Sequence, residues 1–167
     1  DNIFNLTESS SDGAVVEITN AQNITLIRNA ILASNIDNAF IMGNAENNIT
    51  VKYGNLSLTS ANTSNQANSN ITFYNVTGLI RDTITLGNGD GDNGIATVIW
   101  ELETLAQASG GSALNGTNVS VFNVTGTQTS NQISSKLSDE NGLATHELIE
   151  FTKNKTTIKY HTPHTIK

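Results

Sequence analysis

The chain has 167 residues, room for one domain or two small ones with a real core, and its 8 Lys and Arg against 15 Asp and Glu give a formal charge of −7. No Lys/Arg cluster stands out along it, so nucleic acid is excluded as a partner, because counterion release from phosphates needs a basic stripe. Cysteine is absent, which removes disulfides, thiolate metal sites and cysteine catalysis, and no apolar run approaches the roughly 18 residues of a membrane-spanning helix.

Taken in chain order, residues 1–12 contain a single apolar piece, Ile3-Phe-Asn-Leu6. Ile3, Phe4 and Leu6 read as a free amphipathic strand, a candidate donor strand for a neighbouring subunit. No leader sequence stands at Asp1, so an exported protein is expected here as its mature form or a processed piece. Residues 13–94 carry a loose repeat. Asn-Ile-Thr recurs with Ile24, Ile49 and Ile71, each followed by an apolar residue (Leu26, Val51, Phe73) and then by a second short strand signal: Ala30-Ile-Leu, Asn55-Leu-Ser-Leu and Gly78-Leu-Ile. Two short strands in a period of 20 to 25 residues predict a short parallel β-solenoid. Asn44, Asn47 and Asn48, or Asn68 and Asn70, would sit at its corners, where left-handed backbone is tolerated. The alternative is a single antiparallel β-sandwich or jelly roll with evenly spaced strands.

The segment Gly87-Asn-Gly-Asp-Gly-Asp-Asn-Gly94 is the one dense cluster of oxygen ligands. Asn88, Asp90 and Asp92 at alternate positions make a candidate calcium loop. An EF-hand frame begun at Asp90 fails, since Ile95 falls where that loop requires glycine. The competing reading is a solvated turn, and no other cofactor is required. Beyond it, Val98-Ile-Trp-Glu-Leu-Glu-Thr-Leu-Ala-Gln-Ala108 has the best helical character, but its alternation favours a strand. Asn141-Gly142, in Asp139-Glu-Asn-Gly142, predicts a tight turn with positive φ between two strands. His146, His161 and His164 have no ligand spacing of a metal site and read as strand-edge packing.

Eleven Asn-x-Ser/Thr tripeptides run through the chain, at Asn5, Asn23, Asn48, Asn55, Asn62, Asn70, Asn75, Asn115, Asn118, Asn123 and Asn154. The Asn, Ser and Thr content would give roughly five by chance, and none has Pro in the middle. Eight have an aliphatic middle residue: Leu6, Ile24, Ile49, Leu56, Ile71, Val76, Val119 and Val124. On a strand this turns Asn and Ser/Thr outward and the aliphatic side chain inward. Covalent N-glycans on an extracellular, cell-surface protein are the expectation; an Asn/Thr-rich strand protein that is never modified is the competing one. The acceptor-free apolar stretches, Ile24 to Asn47 and Thr77 to Leu114, are nominated as contact surfaces or as core.

The stretch Ala14-Val-Val-Glu-Ile-Thr-Asn-Ala-Gln-Asn-Ile-Thr-Leu-Ile-Arg-Asn-Ala-Ile-Leu32 resembles the right-handed parallel β-helix repeats of archaeal cell-surface proteins. Residues 95–167 resemble the Ig-like, carboxypeptidase-regulatory-like modules that often follow such repeats. The likeness rests on Asn115-Gly-Thr-Asn-Val-Ser-Val-Phe-Asn-Val124, Ser138-Asp-Glu-Asn-Gly-Leu-Ala-Thr-His-Glu-Leu148 and Lys159-Tyr-His-Thr-Pro-His-Thr-Ile166. The family's usual closing strand after the Thr-Pro segment is missing. The resemblance implies an Ig-like β-sandwich for this half.

The expected function is structural and not enzymatic: a subunit of a filament, sheath or S-layer that partners with itself head to tail by strand addition. An adhesion or carbohydrate-binding module of a larger surface protein is the second reading. Arg81, Asp82 and Asp37 are the residues a polysaccharide-cleaving enzyme would use, but no nucleophile and base are recognisable by spacing.

Overall fold

A computed structural model describes residues 3–6, 14–18, 22–33, 38–42, 48–58, 63–65, 69–79, 81–86, 94–125, 128–161 and 164–166. The fold is all-β; among the described residues the one helical piece is a 3-10 turn, Arg81–Thr83. The chain divides into two compact units, Asp1–Val98 with Thr152–Lys159, and Ile99–Phe151 with Tyr160–Lys167.

In the first unit the strands are β1 (Ile3–Leu6), β2 (Ala14–Ile18), β3 (Ile24–Ile27), β4 (Ala30–Ala33), β5 (Asn38–Met42), β6 (Asn48–Lys52), β7 (Asn55–Leu58), β8 (Thr63–Asn65), β9 (Asn70–Tyr74), β10 (Ile84–Leu86) and the start of β11 (Ile95–Leu105). Strands β1 to β9 enter three sheets in fixed rotation, β1-β4-β7 in one, β2-β5-β8 in the next and β3-β6-β9 in the third; β10 then joins the second and β11 the third. Each described pair among β1 to β10 is parallel. The antiparallel alternative is therefore not what forms in the described strands of residues 13–94. Ile24 pairs with Ile49 and Ile49 with Ile71, so the repeat in the sequence is the register of the sheet.

Period-2 alternation decides which side chains fill the space between the sheets. Ile49 and Val51 are 1% exposed, and Ile71 and Phe73 are 0%; Ile31 and Leu56 of the neighbouring sheet are equally enclosed. On the first rung the equivalent Ile24 and Leu26 are only half-buried. No described strand lies beyond β3 in this sheet to cover them.

The corners differ from expectation. Asn48 and Asn70 open strands β6 and β9, while Asn44, Asn47 and Asn68 lie outside the described residues. Left-handed backbone falls at Asn23 (φ 57), where the chain enters this sheet, and where the chain leaves it, at Arg28 (φ 54), Tyr53 (φ 54) and Asn75 (φ 49), three equivalent positions one rung apart. The turn is needed after the strand, to swing the chain into the next sheet. The amide of Arg28 donates to the Lys52 carbonyl and that of Tyr53 to the Tyr74 carbonyl, both at 2.9 Å, so these two corners are tied to the rung beyond them. Those bonds offset the roughly 1–2 kcal/mol that left-handed geometry costs a residue with a Cβ. The Tyr53 ring also meets the Tyr74 ring edge-on at 5.5 Å, and the Lys52 ammonium lies 5.0 Å from the Tyr74 ring centre. Of the expected strand Gly78-Leu-Ile, Gly78 and Leu79 are not in a strand and Ile80 lies outside the described residues; just before it a single bridge joins Asn55 and Thr77. Gly78 turns away with φ 75, where an added Cβ would collide with the Leu56 carbonyl.

The second unit contains the rest of β11, β12 (Asn118–Thr125), β13 (Gln128–Leu137), most of β14 (Leu143–Lys153), Tyr160 of β15 (Ile158–Tyr160) and β16 (His164–Ile166). β12 lies between β13 and β16, antiparallel to both. From β14, Ala144, His146, Leu148 and Phe151 are buried, as are Val119 and Val121 of β12. The segment 98–108 is strand through Leu105, as its alternation favours.

The turn from β13 to β14 is the predicted Asp139–Gly142 one, in another geometry. The Gly142 amide donates to the Asp139 carbonyl at 2.9 Å and the Asp139 amide to the Leu143 carbonyl at 2.8 Å. Gly142 has φ 78, whereas Asn141 does not enter the positive region. This is a type I turn closed by a left-handed glycine. Asp139 explains the preference: its Oδ1 accepts the amides of Asn141 at 2.8 Å and Leu143 at 2.9 Å, fixing the right-handed start of the turn. The Leu143 amide first, and that of Asn141 after it, hold this carboxyl below its usual range.

Two outcomes follow for urea unfolding. Ile71→Ala is expected to cost about 2–5 kcal/mol and Ile24→Ala distinctly less; equal losses would contradict an open first rung. Gly142→Ala is expected to cost at least about 1–2 kcal/mol from its left-handed backbone alone, and more because the new Cβ would lie 2.4 Å from the Ala106 carbonyl oxygen.

Candidate functional site

The Asn-Ile-Thr tripeptides form a stacked row. Asn48 and Asn70 are exposed and paired in register. The Asn70 Nδ2 donates to Asn48 Oδ1 at 3.2 Å, and Asn70 Oδ1 accepts the Ile95 amide at 3.1 Å. Asn23, exposed and with φ 57, precedes the paired Ile24 and begins the same row. Parallel in-register strands favour like side chains above one another, and asparagine amides bond along such a stack. Repetition of these three tripeptides thus has a structural ground that is independent of sugar.

The remaining acceptors lie in varied settings. Asn55 is exposed beside Leu56 at 1%, and Asn75 is half-buried beside Val76 at 2%. Asn118 is exposed, its Oδ1 accepting the Ser135 hydroxyl at 2.6 Å. Asn123 is half-buried on β12. Asn115 is exposed in a turn, next to Gly116 with φ 72. Asn154 is exposed in the turn between β14 and β15. Its Oδ1 accepts from the amides of Thr156 and Thr157 at 3.0 and 2.8 Å and from their hydroxyls at 3.3 and 2.9 Å. Asn5 lies on β1, and Asn62 is outside the described residues.

The segment expected to leave as a donor strand is paired within its own chain, Ile3 with Ala30, Phe4 with Ile31 and Leu6 with Ala33. Ile3 is 73% exposed and Ile27 52%. Both belong to strands with a described neighbour on one side only.

The histidines separate into two kinds. His146 is not at a strand edge but fully enclosed, its Nδ1 2.9 Å from the Ser134 hydroxyl, while its Nε2 is buried without a hydrogen bond. Its place between Ala144 and Leu148 on the inward side of the alternation was the signal for this. His161 and His164 line a cleft of about 130 Å³ with Asn123, Ile133, Glu147 and Ile149. His164 is on edge strand β16, opposite Asn123. Among the described residues no three His, Asp or Glu side chains are grouped to hold a metal. The candidate calcium ligands Asn88, Asp90 and Asp92 lie outside those residues, as does Asp37. Arg81 and Asp82 are exposed on the 3-10 turn.

A basic feature does exist that the sequence concealed. Lys153 and Lys159 are brought together across a hairpin, lining a cleft of about 260 Å³ with Ile95, Thr152, Asn154 and Thr157. Lys153 Nζ reaches the Arg81 carbonyl at 3.5 Å. Interleaved Asn and Thr hide this pairing in the linear chain. No family model, curated protein or solved structure matches the chain.

Burial lowers the pKa of His146 below the ordinary 6.5, with the Lys136 charge adding to it. The unfolded chain therefore binds a proton that the folded chain refuses. Stability is expected to be full above about pH 6.5 and to fall as the pH drops below that value toward the folded pKa. Urea midpoints between pH 7.5 and 5.5 check this: His146→Gln should flatten the slope, and an unchanged slope would assign it elsewhere.

Proposed function

We propose that the chain is a structural, non-catalytic, N-glycosylated unit of an extracellular surface assembly, extended by strands added at its first rung. The finer fold reading is a short three-sided parallel β-solenoid followed by an Ig-like β-sandwich. Support for the solenoid comes from the fixed rotation of β1 to β9 among three sheets and from the parallel register. Support for the sandwich comes from the antiparallel β13-β12-β16 sheet and from Ser134 of β13 reaching His146 of β14.

The observation that carries the functional reading is the state of the first rung. Its inward side chains Ile24 and Leu26 are half-buried where their counterparts one and two rungs on are enclosed. A strand edge with unpaired backbone groups above half-covered apolar side chains is a template for another strand. Contacts of this kind between copies are heterologous and propagate as fibres or lattices. Second, the pairing of β1 on β4 is how a further stretch of one polypeptide would continue the stack. It favours a module of a longer surface protein, in which the added strands belong to the same chain.

Ile3→Lys combined with Ile27→Lys places charges on two exposed edge positions, where lysine opposes strand pairing. The double variant is expected to stay folded by circular dichroism but to form no polymers by electron microscopy under conditions where the wild-type chain does. Wild-type polymers unaffected by both lysines would sink the first-rung contact. Wild-type chains that stay single, from a native protein of much larger intact mass, would select the module reading.

A further inference from the structure

Four of the tripeptides with an aliphatic middle residue are ones the fold makes hard to modify. An acceptor must carry its asparagine, middle residue and hydroxyl into an enzyme's active site. For Asn48, Asn55, Asn70 and Asn75 that means withdrawing Ile49, Leu56, Ile71 or Val76, each 0–2% exposed, from the core. Asn70 would also give up both bonds of its amide, to Asn48 and to Ile95. Asn115 and Asn154 have Gly116 and Lys155 in the middle, both exposed. At Asn154 the Oδ1 is held by four donors from Thr156 and Thr157, which turns Nδ2 outward with no partner among the described residues. The hydroxyl of its own Thr156 already lies 3.3 Å from the carboxamide oxygen.

We propose that in the folded chain Asn115 and Asn154 are glycan acceptors, while Asn48, Asn55, Asn70 and Asn75 are structural asparagines that happen to satisfy the acceptor pattern. This rests on the glycoprotein reading above and names its sites. The donor is a lipid-linked oligosaccharide activated as a phosphate or diphosphate ester. Its anomeric C–O bond breaks, and the phosphate leaves with the electron pair. A new bond joins the anomeric carbon to Asn154 Nδ2, which loses one proton.

The test uses the full chain, produced without glycans and folded, incubated with a purified oligosaccharyltransferase and a lipid-linked oligosaccharide. Site occupancy is followed by peptide mass spectrometry. Asn115 and Asn154 are expected to be modified at least about tenfold faster than the four core-linked sites, which must wait for local opening. Thr156→Ala should abolish modification at Asn154 and leave Asn115 unchanged. In Phe73→Ala, which empties a fully buried position on the strand that carries Asn70, the core-linked sites should catch up. Equal rates at Asn70 and Asn154 in the folded wild-type chain would overturn the division while leaving the glycoprotein reading intact. Modification of the core-linked sites alone, or of Asn115 and Asn154 only in Phe73→Ala, would likewise overturn it. No modification at any site in either chain would remove the glycoprotein reading itself.

Discussion

Everything in the first unit depends on like side chains lying above one another at the spacing of a parallel sheet, about 4.8 Å. Ile49 on Ile71 and Val51 on Phe73 form continuous apolar columns, and each column is complete only when another rung covers it. The outward rows follow from the same register. Asn70 bonds to Asn48 because both precede an isoleucine of one column. The corners obey it too, since Arg28 and Tyr53 each donate an amide to the carbonyl preceding the next rung's corner. Such stacking stabilises through nearest neighbours, so stability accumulates rung by rung.

The second unit reaches its core by another route. Antiparallel strands and a tight turn bring β13 and β14 together, and the turn works because Asp139 binds two amides while Gly142 accepts a conformation closed to residues with a Cβ. A histidine in that core is tolerated in its neutral form, with one nitrogen bonded to Ser134. Charge is kept to the outside, where the Trp100 indole donates to the Glu150 carboxylate at 2.7 Å.

Much of this was legible in the sequence because register and repeat are one quantity: the distance from Ile24 to Ile49 to Ile71 in the chain is the pairing in the sheet. The alternation of Asn, Ile and Thr also gave the inward face. The corners were not legible. Arg28 and Tyr53 carry left-handed backbone that local sequence would assign to Asn or Gly, and only the tertiary amide bonds explain them. His146 was read as strand-edge packing, although its place between Ala144 and Leu148 on the inward side of the alternation marks it as core. The meeting of Lys153 and Lys159 depends on a hairpin whose turn is built by Asn154, and no linear charge count reveals it.

The half-covered Ile24 and Leu26 also have a kinetic meaning. In a stack held by nearest neighbours, the rung with one neighbour opens first, and the chain frays inward from β3 while β6 and β9 still protect each other's amides. A unit that gains a covering rung, whatever its source, would therefore exchange its amide hydrogens more slowly along the whole column and not only at the new contact.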